Sequence, residues 1–155
     1  MVSISLCMIV KNEEKVLARC LDSLAPAMDE IIIVDTGSED RTKEIAKRYT
    51  DKVYDFEWTG SFADARNYAS GMATKEYIYT ADADEYLDQE NLEKLLRLKS
   101  ILLPEIEMVQ MLYCTQGEYN TVYNFEKEYR PKLYRRLRKF VWIDPIHETL
   151  RTDPV

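Results

Sequence analysis

Glu30-Ile31-Ile32-Ile33-Val34-Asp35-Thr36-Gly37-Ser38-Glu39-Asp40 is the stretch that decides the fold. Its four aliphatic residues are all β-branched and run without period-two alternation, the pattern of a parallel strand buried on both faces. Thr36-Gly37 then reads as a turn and Ser38 as a helix cap. Glu39 and Asp40 fall in the first helical turn, where negative charge is favoured. Ile45, Ala46 and Tyr49 give that helix a buried stripe, so the segment is a βα unit.

Outward from it the same alternation continues. Residues 3–10 form an apolar strand, after which Asn12 is expected to cap a helix with Val16, Leu17, Cys20, Leu21 and Leu24 on one face. Residues 52–56 predict a short third strand. Residues 61–72 predict a helix with Phe62, Ala65, Ala69 and Met72 inward, and 76–81 a fourth strand. Asp88 caps a leucine-rich helix carrying Leu92, Leu95, Leu96 and Leu103, which Pro104 closes. Residues 106–114, 119–125 and 131–143 are rich in Tyr, Val, Leu and Phe and predict strands that are partly antiparallel. The expected fold class is therefore α/β, with a mostly parallel central sheet flanked by helices over 1–100 and a β-rich extension over 101–155.

A chain of 155 residues is sized for a single domain over 1–155, and it shows no repeat or linker. No apolar run reaches the roughly 18–20 residues of a membrane span, and the amino terminus lacks a secretory pattern, so a cytoplasmic location is expected. Cys7, Cys20 and Cys114 are distant and odd in number, which favours small core residues over disulfides or a zinc site. The net charge of −7 argues against nucleic acid as a partner. Residues 127–155 nevertheless hold 8 Lys and Arg against 4 Asp and Glu. Most of these cations lie in the basic segment 127–139, at Lys127, Arg130, Lys132, Arg135, Arg136, Arg138 and Lys139. With Leu133 and Leu137 interleaved, it reads either as a solvated strand face or as a sink for phosphate or anionic lipid heads, giving peripheral contact with a membrane.

Asp82, Asp84 and Glu85 crowd one short turn after the fourth strand. Carboxylates ~6 Å apart repel by roughly 3 kcal/mol at an effective dielectric of ~20, so the cluster calls for a cation or for donors. Oxygen-rich sites suit Mg2+ or Mn2+ better than Zn2+. The plainer reading is a solvated loop with Asp88 capping the next helix. In parallel sheets, however, ligands bind at the strands' carboxyl ends. Lys11-Asn12, Asp35 to Ser38 and Asp82 to Glu85 should therefore share one rim. There is no Gly-x-Gly-x-x-Gly and no P-loop, so a bound phosphate would be held by metal and side chains. Ser-His-Asp hydrolysis lacks its serine elbow, although His147 has Glu148 beside it.

Six segments carry a resemblance: residues 5–14 (SLCMIVKNEE), 34–42 (VDTGSEDRT), 62–67 (FADARN) and 82–85 (DADE), then Lys132-Leu133-Tyr134-Arg135 and Ile146-His147-Glu148. Together, in this order and spacing, the chain resembles the family 2 glycosyltransferases with the GT-A nucleotide-sugar-binding fold, and most closely their bacterial branch acting on lipopolysaccharide cores, other glycans or peptides. The resemblance implies an enzyme that moves a sugar from a nucleotide diphosphate, most often UDP, to a glycan, lipid-linked or peptide acceptor with inversion. It implies Mn2+ or Mg2+ as cofactor, with Asp84 as the main ligand, Asp82 at the ribose or a metal-bound water, and His147 approaching from the carboxyl-terminal side. Asp35 would accept a hydrogen bond from uracil. The backbone near Met8 and Val10 would line the base pocket, and Arg66 would neutralise part of the nucleotide.

Each role has a plainer alternative. Arg66 could bridge to Asp64 or Asp82, Asp35 could only cap a turn, and His147 could be a surface residue. Lys11, Glu13 and Glu14 read as exposed, and Trp58 and Trp142 as core. Inversion needs a base for the acceptor. Glu148 is the candidate, with Glu118, Glu126 and Asp144 as alternatives. Because the chain stops soon after Glu148, three possibilities stay open: a piece of a longer transferase, a minimal domain needing a partner, or a module that binds the donor without turnover. A nucleotidyltransferase on a related scaffold would show a Gly- and Arg-rich first loop, which residues 8–13 are not.

Overall fold

The computed structural model describes residues 1–116 and 125–151, with side chains described throughout except at 115, 116 and 125–128. The chain alternates β1 (Ile4–Val10), α1 (Leu17–Leu24), β2 (Glu30–Asp35), α2 (Thr42–Ala46), β3 (Val53–Asp55), α3 (Phe62–Gly71), β4 (Tyr77–Thr80) and α4 (Gln89–Ile101). Then come β5 (Met108–Gln116), β6 (Phe125–Arg135) and the small pair β7 (Trp142–Ile143) and β8 (Thr149–Leu150). The six-stranded sheet has the order β3-β2-β1-β4-β6-β5, with β1 to β4 parallel and β6 antiparallel to both its neighbours. This is the expected α/β class with a mostly parallel sheet. The chain winds outward from β1 to β3 and then crosses to β4 on the other side of β1. Strand order thus reverses at β1, and a crevice forms at the carboxyl ends of β1 and β4.

Both faces of the sheet are covered, which explains the unbroken apolar runs. Ile4, Leu6, Met8 and Val10 of β1 and Ile33 of β2 pack with α1, α2 and α4. Cys7, Ile32 and Val34 point the other way, onto Ala69 of α3 and Leu150 of β8. α1 has no side-chain cap and is held instead by Leu17, Leu21 and Leu24, at most 2% exposed. Each such burial is worth on the order of 1.5–3 kcal/mol. α4 is capped as expected, Asp88 accepting from Asn91 N–H, and α3 is capped by Ser61, which accepts from Asp64 N–H.

Several expectations are corrected. Asn12 does not cap α1, which begins at Leu17; it sits in the left-handed region at φ 52° and turns its side chain to another loop. Ser38 does not cap α2, whose first residue, Thr42, is bonded by Asp40. Phe62 opens α3 from its outer side, 41% exposed, with its ring against the equally exposed Trp58. Cys114 is exposed on the edge strand β5, while Cys7 and Cys20 are buried as expected. Leu103 lies beyond α4 and is 61% exposed. The expected strand over 119–125 falls almost wholly outside the described residues.

Candidate active site

The loops after β1 and β2 are stitched together at the rim. Asn12 N–H donates to Ser38 Oγ at 2.9 Å, and Asn12 Oδ1 accepts from Glu39 N–H at 2.8 Å. Glu13 N–H donates to Thr42 Oγ1 at 2.8 Å, and Thr36 N–H to the Val10 carbonyl at 3.0 Å. A left-handed asparagine can do this because its backbone and short side chain reach the same neighbouring loop.

Asp35, the last residue of β2, is 2% exposed. Its Oδ1 accepts from Gly37 N–H at 2.9 Å and Ser38 N–H at 2.8 Å, with Gly37 at φ 115°, a conformation that favours glycine. Its Oδ2 is the one buried side-chain N or O atom among the described residues without a hydrogen-bond partner. Leaving a buried acceptor unsatisfied costs roughly 1–3 kcal/mol.

β4 delivers the acidic turn. Ala81 and Ala83 are buried and Asp84 is exposed, so alternation sends the aspartates outward. Glu85 N–H closes the turn on the Asp82 carbonyl at 3.0 Å, and Arg19 of α1 reaches the Asp84 carbonyl at 3.1 Å. Arg66 of α3 donates from Nη2 to Asp82 Oδ1 at 2.6 Å, from Nη1 to Thr80 Oγ1 at 3.3 Å and from Nε to Glu148 Oε1 at 2.7 Å. Its guanidinium lies 4.9 Å from the Trp142 ring centre. Burial works to raise the Asp82 carboxyl, but the Arg66 charge outweighs it and leaves the group below the usual range.

Glu85 turns inward and pairs with Lys132 of β6 at 2.5 Å. Burial holds its carboxyl above the ordinary value, with Lys132 opposing. Glu13 is also raised, by burial first and then by the charges of Asp84, Asp82 and Asp40, so the first loop and the acidic turn face each other. The three clusters named from sequence therefore occupy one rim.

The expected site residues fare differently. Met8 and Val10 are core side chains, and the Val10 carbonyl also accepts from Thr36 Oγ1. Arg66 bridges to Asp82, the plainer alternative, and also to Glu148. Glu148, expected as the acceptor base, pairs with Arg66, and its side chain is 14% exposed. His147 is exposed at φ 55°. Among the described residues no three His, Cys, Asp or Glu side chains lie close enough to share a metal ion. The set Asp82, Asp84 and His147 is thus not assembled as a cage. Of the other base candidates, Asp144 is exposed at φ 74°. Glu118 lies outside the described residues, and the Glu126 side chain is not described.

Does this rim suit Mg2+ or Mn2+? The Asp84 carboxylate makes no hydrogen bond or ion pair among the described residues, and Asp82 spends only Oδ1 on Arg66. Oxygen donors of this kind match the mode in which one or two carboxylates hold such an ion together with substrate phosphate oxygens. The residues fit the ion in that mode.

Two features were missed from sequence: the Glu85–Lys132 pair, and the reciprocal bonds between the Asn67 side chain and the Trp142 backbone, 3.0 and 2.8 Å. Neither has a local signal. The basic segment is also less free than it reads. Lys132 is buried, Arg138 pairs with Glu107, and Arg136 Nε donates to the Lys75 carbonyl.

The profile of glycosyl transferase family 2 matches residues 5–151. A TPR repeat-containing protein of Synechococcus elongatus is 46% identical over 87 residues, covering 56% of this chain and 22% of that one. An uncharacterized glycosyltransferase of Rickettsia typhi is 39% identical over 90 residues, with 58% and 30% covered. The SPbeta prophage-derived glycosyltransferase SunS of Bacillus subtilis is 38% identical over 96 residues, with 61% and 23% covered. Among solved structures, S. aureus TarS superposes with TM-score 0.59 at 22% identity, over 88% of this chain and 48% of TarS. Glucosyl-3-phosphoglycerate synthase of Mycobacterium tuberculosis superposes with TM-score 0.60 at 20% identity, over 76% and 46%. The chain therefore spans less than a third of these curated relatives' length and just under half of these structures.

Proposed function

The chain belongs to glycosyl transferase family 2, with the GT-A fold, and on that premise we propose that it moves a sugar from a nucleotide diphosphate, UDP before others, to an acceptor with inversion. The observation that carries the reading is Asp35 Oδ2, a buried acceptor with no donor of its own, at the carboxyl end of β2 beside the switch point. A uracil N–H placed there would satisfy it, with the β1 backbone at Met8 to Val10 as the floor of the base pocket. TarS and glucosyl-3-phosphoglycerate synthase have both been determined with UDP, which supports the choice of nucleotide.

The diphosphate would lie across the rim toward the acidic turn. Asp84, with the second oxygen of Asp82, would hold Mn2+ or Mg2+, which as a Lewis acid would offset negative charge on the leaving diphosphate. His147 would join from the carboxyl-terminal side only after moving toward the aspartates. The acceptor oxygen bonds to the anomeric carbon as the bond from that carbon to the diphosphate breaks. The acceptor proton passes to a base, and the nucleotide leaves with the electron pair. Glu148 is a poor base because protonation would sacrifice its ion pair with Arg66; we assign it to anchoring. Arg66 correspondingly orients Asp82 rather than contacting nucleotide.

The acceptor is a glycan, a lipid-linked group or a peptide, and the setting is cytoplasmic. Among the described residues no helix is long and apolar enough to cross a membrane. Contact with a membrane face through residues 127–139 rests on Lys139 beside Leu137, which is 69% exposed.

Calorimetric titration of UDP with Mn2+, repeated with chelator and with ADP, CDP and GDP, tests the donor half. Selective, metal-dependent UDP binding is expected; equal binding of all four overturns the Asp35 assignment. Donor hydrolysis in the same cell separates an active transferase from a module that only binds.

A further inference from the structure

The six-stranded sheet ends in two unlike edges. At one, β3 is three residues long, and its Asp55 pairs with Lys43 at 2.7 Å. Short length and charge are the usual means by which an edge is kept from pairing. At the other, β5 runs nine residues, MVQMLYCTQ, with neither a charge nor a proline. It offers ~30 Å of edge, along which every second residue turns its N–H and C=O away from β6. Among the described residues no strand pairs with that side. A bulge, another protective device, falls between Val109 and Gln110 and leaves β5 regular from Gln110 onward.

The two faces of β5 differ as well. Val109 and Met111 pack toward the core. On the other face Gln110, Leu112 and Cys114 are exposed. Leu112, 48% exposed, lies opposite Tyr129 of β6, 69% exposed. This apolar pair sits at the middle of the strand, because Leu112 is the fifth of its nine residues.

We propose that β5 pairs antiparallel with β5 of a second copy of this chain, about a two-fold axis at Leu112, so that the two sheets become continuous. Self-pairing is a demanding condition: each residue faces one from the same nine, and a charge near the axis would face its own copy. The uncharged β5 meets it. Leu112 comes opposite the partner's Leu112, Met111 opposite the partner's Tyr113, and Gln110 opposite the partner's Cys114. One face then carries an unbroken apolar row, in which Tyr129 and Leu112 are followed by the partner's Leu112 and the partner's Tyr129. On the other face Met111 and Tyr113 line a cavity of about 880 Å³ that reaches Asp84 and Glu85 of the acidic turn. The partner's Tyr113 and the partner's Met111 would extend that wall. Because β3 is blunted, association closes at two copies. Pairing at β5 does not depend on the chemistry performed at the rim.

Sedimentation velocity of the unaltered protein tests this. A dimer is expected at about 100 µM, dissociating on dilution. Leu112→Lys and Leu112→Glu place like charges at the axis and should each weaken association roughly tenfold or more. Both change an exposed side chain, so far-UV circular dichroism and the urea midpoint should match those of the diluted, monomeric parent. Mixed in equal amounts, the two variants should associate with each other, since the axis then opposes unlike charges. A monomeric parent at the higher concentration overturns the proposal, whether its edge is then found to take an extended peptide or nothing. A dimer that both variants leave intact overturns it too, being held at another surface. So does a mixture that stays monomeric while each variant is folded, and so do species that grow beyond the dimer.

Discussion

Arg66 and Glu148 stand 82 residues apart in the chain, yet their side chains meet at 2.7 Å. The same guanidinium holds Asp82 through Nη2. A residue of α3 thus ties the turn before β8 to the acidic turn after β4. Removing Arg66 strands two partly buried carboxylates. For Arg66→Ala we expect a loss of roughly 2–3 kcal/mol, below the figure for a fully buried pair because the Asp82 side chain is 45% exposed. Urea denaturation measures it. Arg66→Lys should recover less than half, since an ammonium lacks the planar fork that donates to both carboxylates.

Glu148→Gln separates anchor from base. An amide keeps an acceptor for Arg66 Nε but cannot take a proton at neutral pH. Transfer by an enzyme using Glu148 as its base would fall by the 10²–10⁴ typical of general-base loss. With Glu148 as an anchor, the fall should stay within about tenfold. The comparison is kcat at saturating donor, for the variant against the parent.

At the opposite end of the sheet, Glu30 is the clearest source of acid sensitivity. Burial works to raise its carboxyl, but Lys52, Ser5 and Thr74 hold it down to about 2. The folded group therefore titrates below the unfolded one, whose ordinary value is 4.5. Between these values the unfolded chain binds more protons, so stability rises with pH through that window and is fully present above it. The contribution at neutral pH is about 3 kcal/mol. Glu30→Gln should flatten the dependence of stability on pH between about 4.5 and 2, a change that denaturation series at stepped pH will show.

What could be read from the chain alone was what neighbours in sequence decide. The apolar runs of β1, β2 and β4, the Asp88 cap and the crowding of carboxylates after β4 all follow from local pattern. The pairs Glu85–Lys132 and Arg66–Glu148 do not, because each depends on which strands lie side by side. Lys132 reads as one more charge in a basic run until β6 is seen to insert antiparallel beside β4. Asn12 looks like a helix cap because asparagine favours both that role and the left-handed conformation it adopts. Trp58 and Cys114 read as core from residue type, and their exposure follows from a loop and an edge strand whose outer sides none of the described residues covers.

Asp35→Asn exchanges stability for binding. The side chain keeps Oδ1 on Gly37 and Ser38 and replaces the unsatisfied Oδ2 with an amide NH2. Folding stability should hold or rise slightly, as a buried unpaired charge is removed. UDP affinity should fall about 10- to 100-fold, because an acceptor for the base becomes a donor facing another donor. Thermal unfolding and UDP titration on the same sample read both changes.

Asp84→Ala should do the reverse of Arg66→Ala, sparing the fold while removing function. The Asp84 carboxylate is exposed and has no partner among the described residues, and its charge bears on Glu13 across the rim. Taking it away relieves repulsion and breaks no bond. Stability should therefore stay within about 0.5 kcal/mol of the parent, as for ordinary surface substitutions. The metal-dependent part of UDP binding should vanish, while the part that survives chelator persists, because Asp35 lies on a different loop. Titrations with and without Mn2+ distinguish the two. If the difference between them survives in Asp84→Ala, the ion is held elsewhere and the acidic turn serves only to carry Asp82 and Glu85 to their partners.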